Sequence, residues 1–442
     1  MSNATLLAMM MGLAQAPAGP VPATVHAFSA VSTPVSNIQQ GTALSAYGIK
    51  DSVTGDLVFW SYTANNTNPT ALYTSQNNGQ TWAQVATDAT NPVSDWSKPM
   101  GMVQDSSGAV HAITFSQPLG YPGYGRLTLT RASGHVTGYT WAVAPFALPA
   151  HSTGAENTRG TIYDVTLGGV ETIVYVFSSS VGATDLKVYA ARATSLTPSS
   201  TSSFVGLDGT GSDSTLLDVT EASGTRNGST HQCGLAQVGS TEDLYMFVGP
   251  FDEDQAQAPG GTVSNDDLWF RQLPKSAGVW TVGSSSSLGT DVCAAATGVP
   301  IPNILGVYST SSGAWVMYSS GSTGINFGSV NSAGTLTAVA VTSPLSTASR
   351  AAYGAFTVGT SGDIWTIFNT YGPYSSLTPT GKLAHWNGTT WETSTTDTSA
   401  AACIGMISFS GWARGCATVR IEGSPTDATV VGTLSGASVF NP

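Results

Sequence analysis

Several residues in this sequence are suited to gripping an anion or a polyol, and they recur at one place in a repeating pattern. Lys98, Arg159, His231 with Gln232, Asn303 and Arg350 each stand about ten residues before a turn that leads into an apolar run. Gln39 and Gln40 take the matching place in the first repeat. Arginine binds a carboxylate as a two-pronged fork, and Lys, His, Asn and Gln add further donors. A ring of such side chains fits an acidic or hydroxyl-rich ligand. The concentration is notable in a chain with 14 Lys plus Arg and a net charge of −12. The competing reading is that these groups solvate strand ends or pair with acids such as Glu156.

Other chemistry finds less support. Glycoside hydrolysis needs two carboxyl groups ~5–10 Å apart, and no acid falls at the aligned positions. His111, His135, His151, His231 and His385 lack the paired spacing of a zinc site. "FDED" and "SNDD" bring Asp252, Asp254, Asp266 and Asp267 to the flanks of a Gly-rich loop. Oxygen-rich loops can hold Ca²⁺, but this spacing matches no EF-hand, and a solvated acidic loop is the plainer reading. No other cofactor is expected. Tyr121, Tyr124, Tyr371 and Tyr374 are expected in surface loops with Gly and Pro, where they either stack on sugar rings or pack tight turns. Cys233, Cys293, Cys403 and Cys416 show no C-x-x-C spacing. Two disulfides and four thiols remain equal alternatives.

The elements that position these residues are repeated strands. Six strongly apolar runs recur: "DLVFWSY" (56–62), "AVHAITF" (109–115), "ETIVYVF" (171–177), "DLYMFV" (243–248), "AWVMYS" (314–319) and "DIWTIF" (363–368). Gly55, Gly108, Gly313 and Gly362 stand just before four of them. Each run is preceded by a strand rich in small residues and followed by two more strand-like stretches. Three of those stretches end in Gly-x-Thr-Trp, at Trp82, Trp141 and Trp391. The period within each unit is two, with turn residues between runs. Four-stranded units cannot bury both faces alone, and radial stacking around an axis solves this. The expected fold is all-β: a six-bladed β-propeller over 39–395, an N-terminal extension over 1–38 and a C-terminal β segment over 396–442 that closes or decorates the ring.

"LYTSQNNGQTW" (72–82) sharpens the reading. Ser75, Asn77, Gly79 and Trp82 resemble the Asp-box, Ser-x-Asp-x-Gly-x-x-Trp, of sialidase-like propellers, with Asn77 where Asp is usual. In that family the box is a structural turn between outer strands, away from the active site. The resemblance therefore implies a propeller and no catalytic role for these four residues. It also implies what a sialidase would need: three arginines on the substrate carboxylate, a Tyr–Glu pair and an acidic Asp. The family's Phe/Tyr-Arg-Ile-Pro motif belongs in the first blade. The nearest string here, "FRQLP" (270–274), is in the fourth repeat, so that role is not carried over to Arg271.

Composition excludes further classes. Basic residues form no run, which argues against nucleic-acid binding. No apolar stretch reaches the length of a membrane span. Residues 5–15 are apolar like a secretory core, but no Lys or Arg precedes them, so the segment is read as retained. Low charge and abundant Gly, Ser and Thr fit a virion protein of the phage tail or capsid-decoration type, assembled through its N-terminal extension into an oligomer and contacting neighbours or host glycans. A secreted sialidase-like hydrolase or polysaccharide lyase and a cell-surface lectin are the alternatives.

Overall fold

The computed structural model of the chain describes residues 28–30, 47–61, 71–76, 83–87, 98–116, 121–149, 159–181, 185–220, 230–251, 268–285, 290–293, 304–309, 313–320, 324–339, 350–358, 364–371, 380–386, 391–393, 417–421, 428–433 and 436–440. All described sheet pairings are antiparallel.

Each of the six repeats forms one sheet, with its strands side by side in chain order. The inner strands are Tyr47–Lys50, Lys98–Gln104, Arg159–Leu167, Thr230–Gln237, Ile304–Ser309 and Arg350–Val358. The apolar runs are the second strands: Leu57–Ser61, Val110–Ser116, Val170–Val181, Leu244–Phe251, Gly313–Ser320 and Ile364–Tyr371. Two sheets are elaborated. In the third, Phe204–Gly206 and Ser214–Thr220 both pair with the third strand, Asp185–Ala193. In the fourth, a hairpin of Lys275–Ser276 and Val279–Trp280 precedes the outer strand, Thr290–Cys293.

A seventh four-stranded sheet comes from the two ends of the chain. Ala417–Ile421, Ala428–Thr433 and Gly436–Phe440 pair in series, and Phe28–Ala30 lies against Gly436–Phe440 as the fourth strand. Its inner strand, Ala417–Ile421, touches the inner strands of both the sixth and the first sheet. The expected count of six covered the repeats alone; the terminal sheet stands between the first and sixth and brings the described blades to seven. Part of the expected N-terminal extension is thus a strand of this sheet.

The second strands explain why the blades must stack. In Val170–Val181, residues 173–177 are all buried, although a sheet with one wet face would alternate. Ile173, Tyr175 and Phe177 enter a core with Ile113 and Tyr124 of blade two. Val174 and Val176 point the other way, into a core with Leu244 and Met246 of blade four. Tyr245 and Phe247 in turn join Val316 and Tyr318 of blade five. Each large apolar side chain so buried contributes ~1.5–3 kcal/mol. Small residues let the inner strands approach. A Cβ on Gly234 would lie 2.7 Å from Val307 Cγ2 of the next blade, and one on Gly101 2.8 Å from Thr161 Oγ1.

Candidate functional site

The ring of anion-binding candidates falls in register. Lys98, Arg159 and Arg350 are each the first residue of an inner strand. His231 and Gln232 are the second and third residues of theirs, and Asn303 immediately precedes Ile304–Ser309. Across the sheet they face the far ends of the second strands: Lys98 opposes Phe115, Arg159 opposes Ser178, His231 opposes Pro250 and Arg350 opposes Tyr371. The fold therefore brings the backbones of these residues to one end of the ring of inner strands. Gln39, Gln40 and Asn303 themselves lie outside the described residues, as do Glu156, Asp252, Asp254, Asp266 and Asp267. Among the described residues, no group of three or more His, Cys, Asp or Glu is arranged to hold a metal ion.

Several other sequence candidates prove to be structural. Ser75 is buried at the end of the third strand of blade one, Ala71–Ser75, opposite Leu57. The outer strand of that blade is Ala83–Thr87, and Asn77, Gly79 and Trp82 lie outside the described residues. Tyr124 is not in a loop. It lies in the strand Tyr121–Ala132, fully buried, and its hydroxyl is 2.6 Å from His111 Nδ1. That removes it as a sugar platform. Arg271 is within the strand Leu268–Leu273 and donates from Nη1 to the Leu216 carbonyl and from Nη2 to the Val282 carbonyl. Its charge stitches blades three and four. Cys233 is a wholly buried thiol pushed up to about 12 by burial.

The opposite end of the ring carries a set of inter-blade clamps that have no local sequence signature. Gln104 Nε2 donates to Asp51 Oδ1 of blade one, and Gln104 Oε1 accepts from the Ser52 N–H. Glu171 of blade three accepts from the Ser106 N–H and hydroxyl of blade two. Glu242 of blade four accepts from the N–H groups of Gly168 and Gly169 of blade three, both at positive φ. Gln237 accepts from the Thr166 N–H and donates to the Thr166 carbonyl. Blades two, three and four thus each reach back to the first turn of the one before.

Charge at this end is tightly held. Burial alone would raise the Asp51 pKa, but bonds from Arg131, Gln104 and Thr54 outweigh it and hold the carboxyl well below its usual range. Asp105 is likewise lowered against its burial by Ser107, His111 and the Ala109 N–H. Burial lowers the His111 pKa even with Asp105 3.0 Å away. Nε2–H toward Asp105 and Nδ1 accepting from Tyr124 fit the neutral ring. Asp164 is pushed up to about 7 by desolvation and by the nearby Glu171 and Asp105 carboxyls. These acids lie toward the other end of the blades from the starts of the inner strands. Asp164 is five residues beyond Arg159 on the same strand, ~16 Å at ~3.3 Å per residue.

The sequence matches no protein-family model and no curated protein. Solved structures that it resembles include an α-L-arabinanase of Penicillium chrysogenum, 11% identical with a TM-score of 0.43 over 94% of this chain and 98% of that one. A lectin of Aleuria aurantia, bound to a fucosyl disaccharide, is 10% identical with a TM-score of 0.43 over 80% and 96%. An ulvan lyase of polysaccharide lyase family 25 is 11% identical with a TM-score of 0.48 over 92% and 94%. The propeller itself is read from the sheet order above.

Proposed function

We propose that this chain is a non-catalytic carbohydrate-binding propeller. It takes an acidic or hydroxyl-rich glycan at the end of the ring where the inner strands begin. The observation that carries the reading is the register of Lys98, Arg159 and Arg350, each the first residue of an inner strand, with His231 and Gln232 at the matching end of blade four. Three basic side chains at equivalent places are a large share of the 14 in the chain, set in a protein of net charge −12. Asp51, Asp105, Glu171 and Glu242 are held in hydrogen bonds with turns at the other end. That supports binding over hydrolysis, which needs its two carboxyls beside the sugar.

The setting we propose is the surface of an assembled particle, of the phage tail or capsid-decoration type. Residues before Phe28 supply the attachment and the propeller reaches host glycans. The test is a glycan array read for binding, with mass spectrometry of the supernatant for released product. Binding to acidic glycans without release, weakened about tenfold by Arg159→Ala or Arg350→Ala, supports the reading. Product release makes the chain an enzyme and overturns it.

A further inference from the structure

A cleft of about 500 Å³ opens on the outer strands of blades three and four, away from the inner-strand ends. One wall is the loop after Phe204–Gly206 with the start of Ser214–Thr220; the other is the second strand of the inserted hairpin of blade four and the stretch that follows it. Its position between two blades is fixed by bonds across the seam. The Trp280 N–H donates to the Leu207 carbonyl at 3.1 Å, and the Asp218 N–H to the Ser285 carbonyl at 2.8 Å. Arg271 ties Leu216 on one side to Val282 on the other. Within the loop, Asp208 Oδ1 accepts from the Thr210 N–H and from the Thr210 and Ser214 hydroxyls, which holds that carboxylate in place. The walls are thus built by contacts that need no ligand.

The lining has one chemical bias. Asp208 and Asp213 supply carboxylates, Thr215 and Thr281 supply hydroxyls, Val279 and Val282 supply apolar surface, and no basic residue lines the cleft. Carboxylates are acceptors and make their strongest bonds with charged donors. The volume is in the usual range for a small-molecule site. We propose that this cleft is a second saccharide site, independent of the inner-strand ring. It takes a donor-rich sugar of one or two rings, with an aminated sugar preferred to a neutral one and an acidic sugar excluded. The ammonium and hydroxyl donors meet Asp208 and Asp213, and the C–H face of the ring lies on the two valines.

The test is calorimetric titration of the full chain with three disaccharides: β-1,4-linked di-glucosamine, cellobiose and digalacturonate. The first is expected to bind more tightly than the second. Asp213→Asn, which keeps the shape and removes a charge, is expected to weaken di-glucosamine at least about tenfold, the size of one charged hydrogen bond. Thr281→Trp, at an exposed wall position, is expected to abolish it. Arg159→Ala is expected to leave it unchanged, which separates this site from the ring. Digalacturonate binding that competes with di-glucosamine overturns the proposal. So does di-glucosamine binding that neither cleft variant alters, or no binding at ~20 mM, a concentration that detects even millimolar affinity.

Discussion

Arg131 and Asp51, 80 residues apart in sequence, join the first two blades through two N–H···O bonds of 2.9 and 2.6 Å. Arg131 extends from the third strand of blade two and remains partly exposed, whereas the Asp51 side chain is wholly buried at the first turn of blade one. Removing the guanidinium leaves a buried carboxylate with fewer partners. Arg131→Ala is expected to cost about 2 kcal/mol, because Gln104 and Thr54 still bind the acid. The folded pKa of Asp51 is depressed, so its contribution is present above the unfolded value near 4 and is lost as pH falls below it. Thermal unfolding from pH 7 to pH 2 should therefore show the wild type converging on Arg131→Ala at the acid end.

Asp164 should act with the opposite sign. Its folded pKa is raised to about 7, so the protonated form is the one folding favours. The stabilisation is fully present below the unfolded value near 4 and is lost as pH rises through about 7. Asp164→Asn mimics the neutral acid and should flatten the melting temperature between pH 4 and pH 8. A wild-type profile already flat across that range would contradict the assignment.

Gly234 marks how closely the inner strands pack. A methyl group there meets Val307 Cγ2 at 2.7 Å, across the seam between blades four and five. Gly234→Ala is expected to destabilise by ~1–3 kcal/mol. A double variant, G234A/V307A, should recover part of that loss, because the space opened on one strand receives the methyl of the other. Denaturant unfolding of the single and double variants reads this directly.

Cys233 should be chemically silent while the protein is folded. Its thiol is buried and pushed up to about 12, leaving little thiolate at neutral pH. Peptide-resolved mass spectrometry after iodoacetamide at pH 8 should find it unmodified until denaturant is added. Prompt labelling in the native protein would mean that the seam between blades three and four opens.

Much of the ring was legible in the sequence because its strongest signal is local. The second strands of blades three and four are buried on both faces, so "ETIVYVF" and "DLYMFV" stand out as continuous apolar runs, and all six second strands appear where the runs predict them. The seventh sheet was only half legible. Its three C-terminal strands carry β-branched residues, but the pairing of Phe28 with Phe440 links the two ends of the chain and leaves no local trace. The clamps by Gln104, Glu171 and Glu242 were not legible either. Each depends on which turn of the neighbouring blade lies opposite, a relation set by stacking and not by spacing. That Lys98, Arg159 and Arg350 begin their inner strands was legible because they share one place in the repeat. The cleft between blades three and four was not, because Asp208 and Thr281 meet only through the irregular outer loops.

The proposed glycan site is the end of the ring where Lys98, Arg159 and Arg350 begin their strands. The most direct test is a binding titration of one acidic oligosaccharide against the wild type and the Arg159→Ala/Arg350→Ala double variant, with melting temperatures measured alongside. The double variant is expected to keep its fold and to lose at least about a hundredfold in affinity, two charged contacts at about tenfold each. Unchanged affinity in a folded double variant would contradict the proposed site.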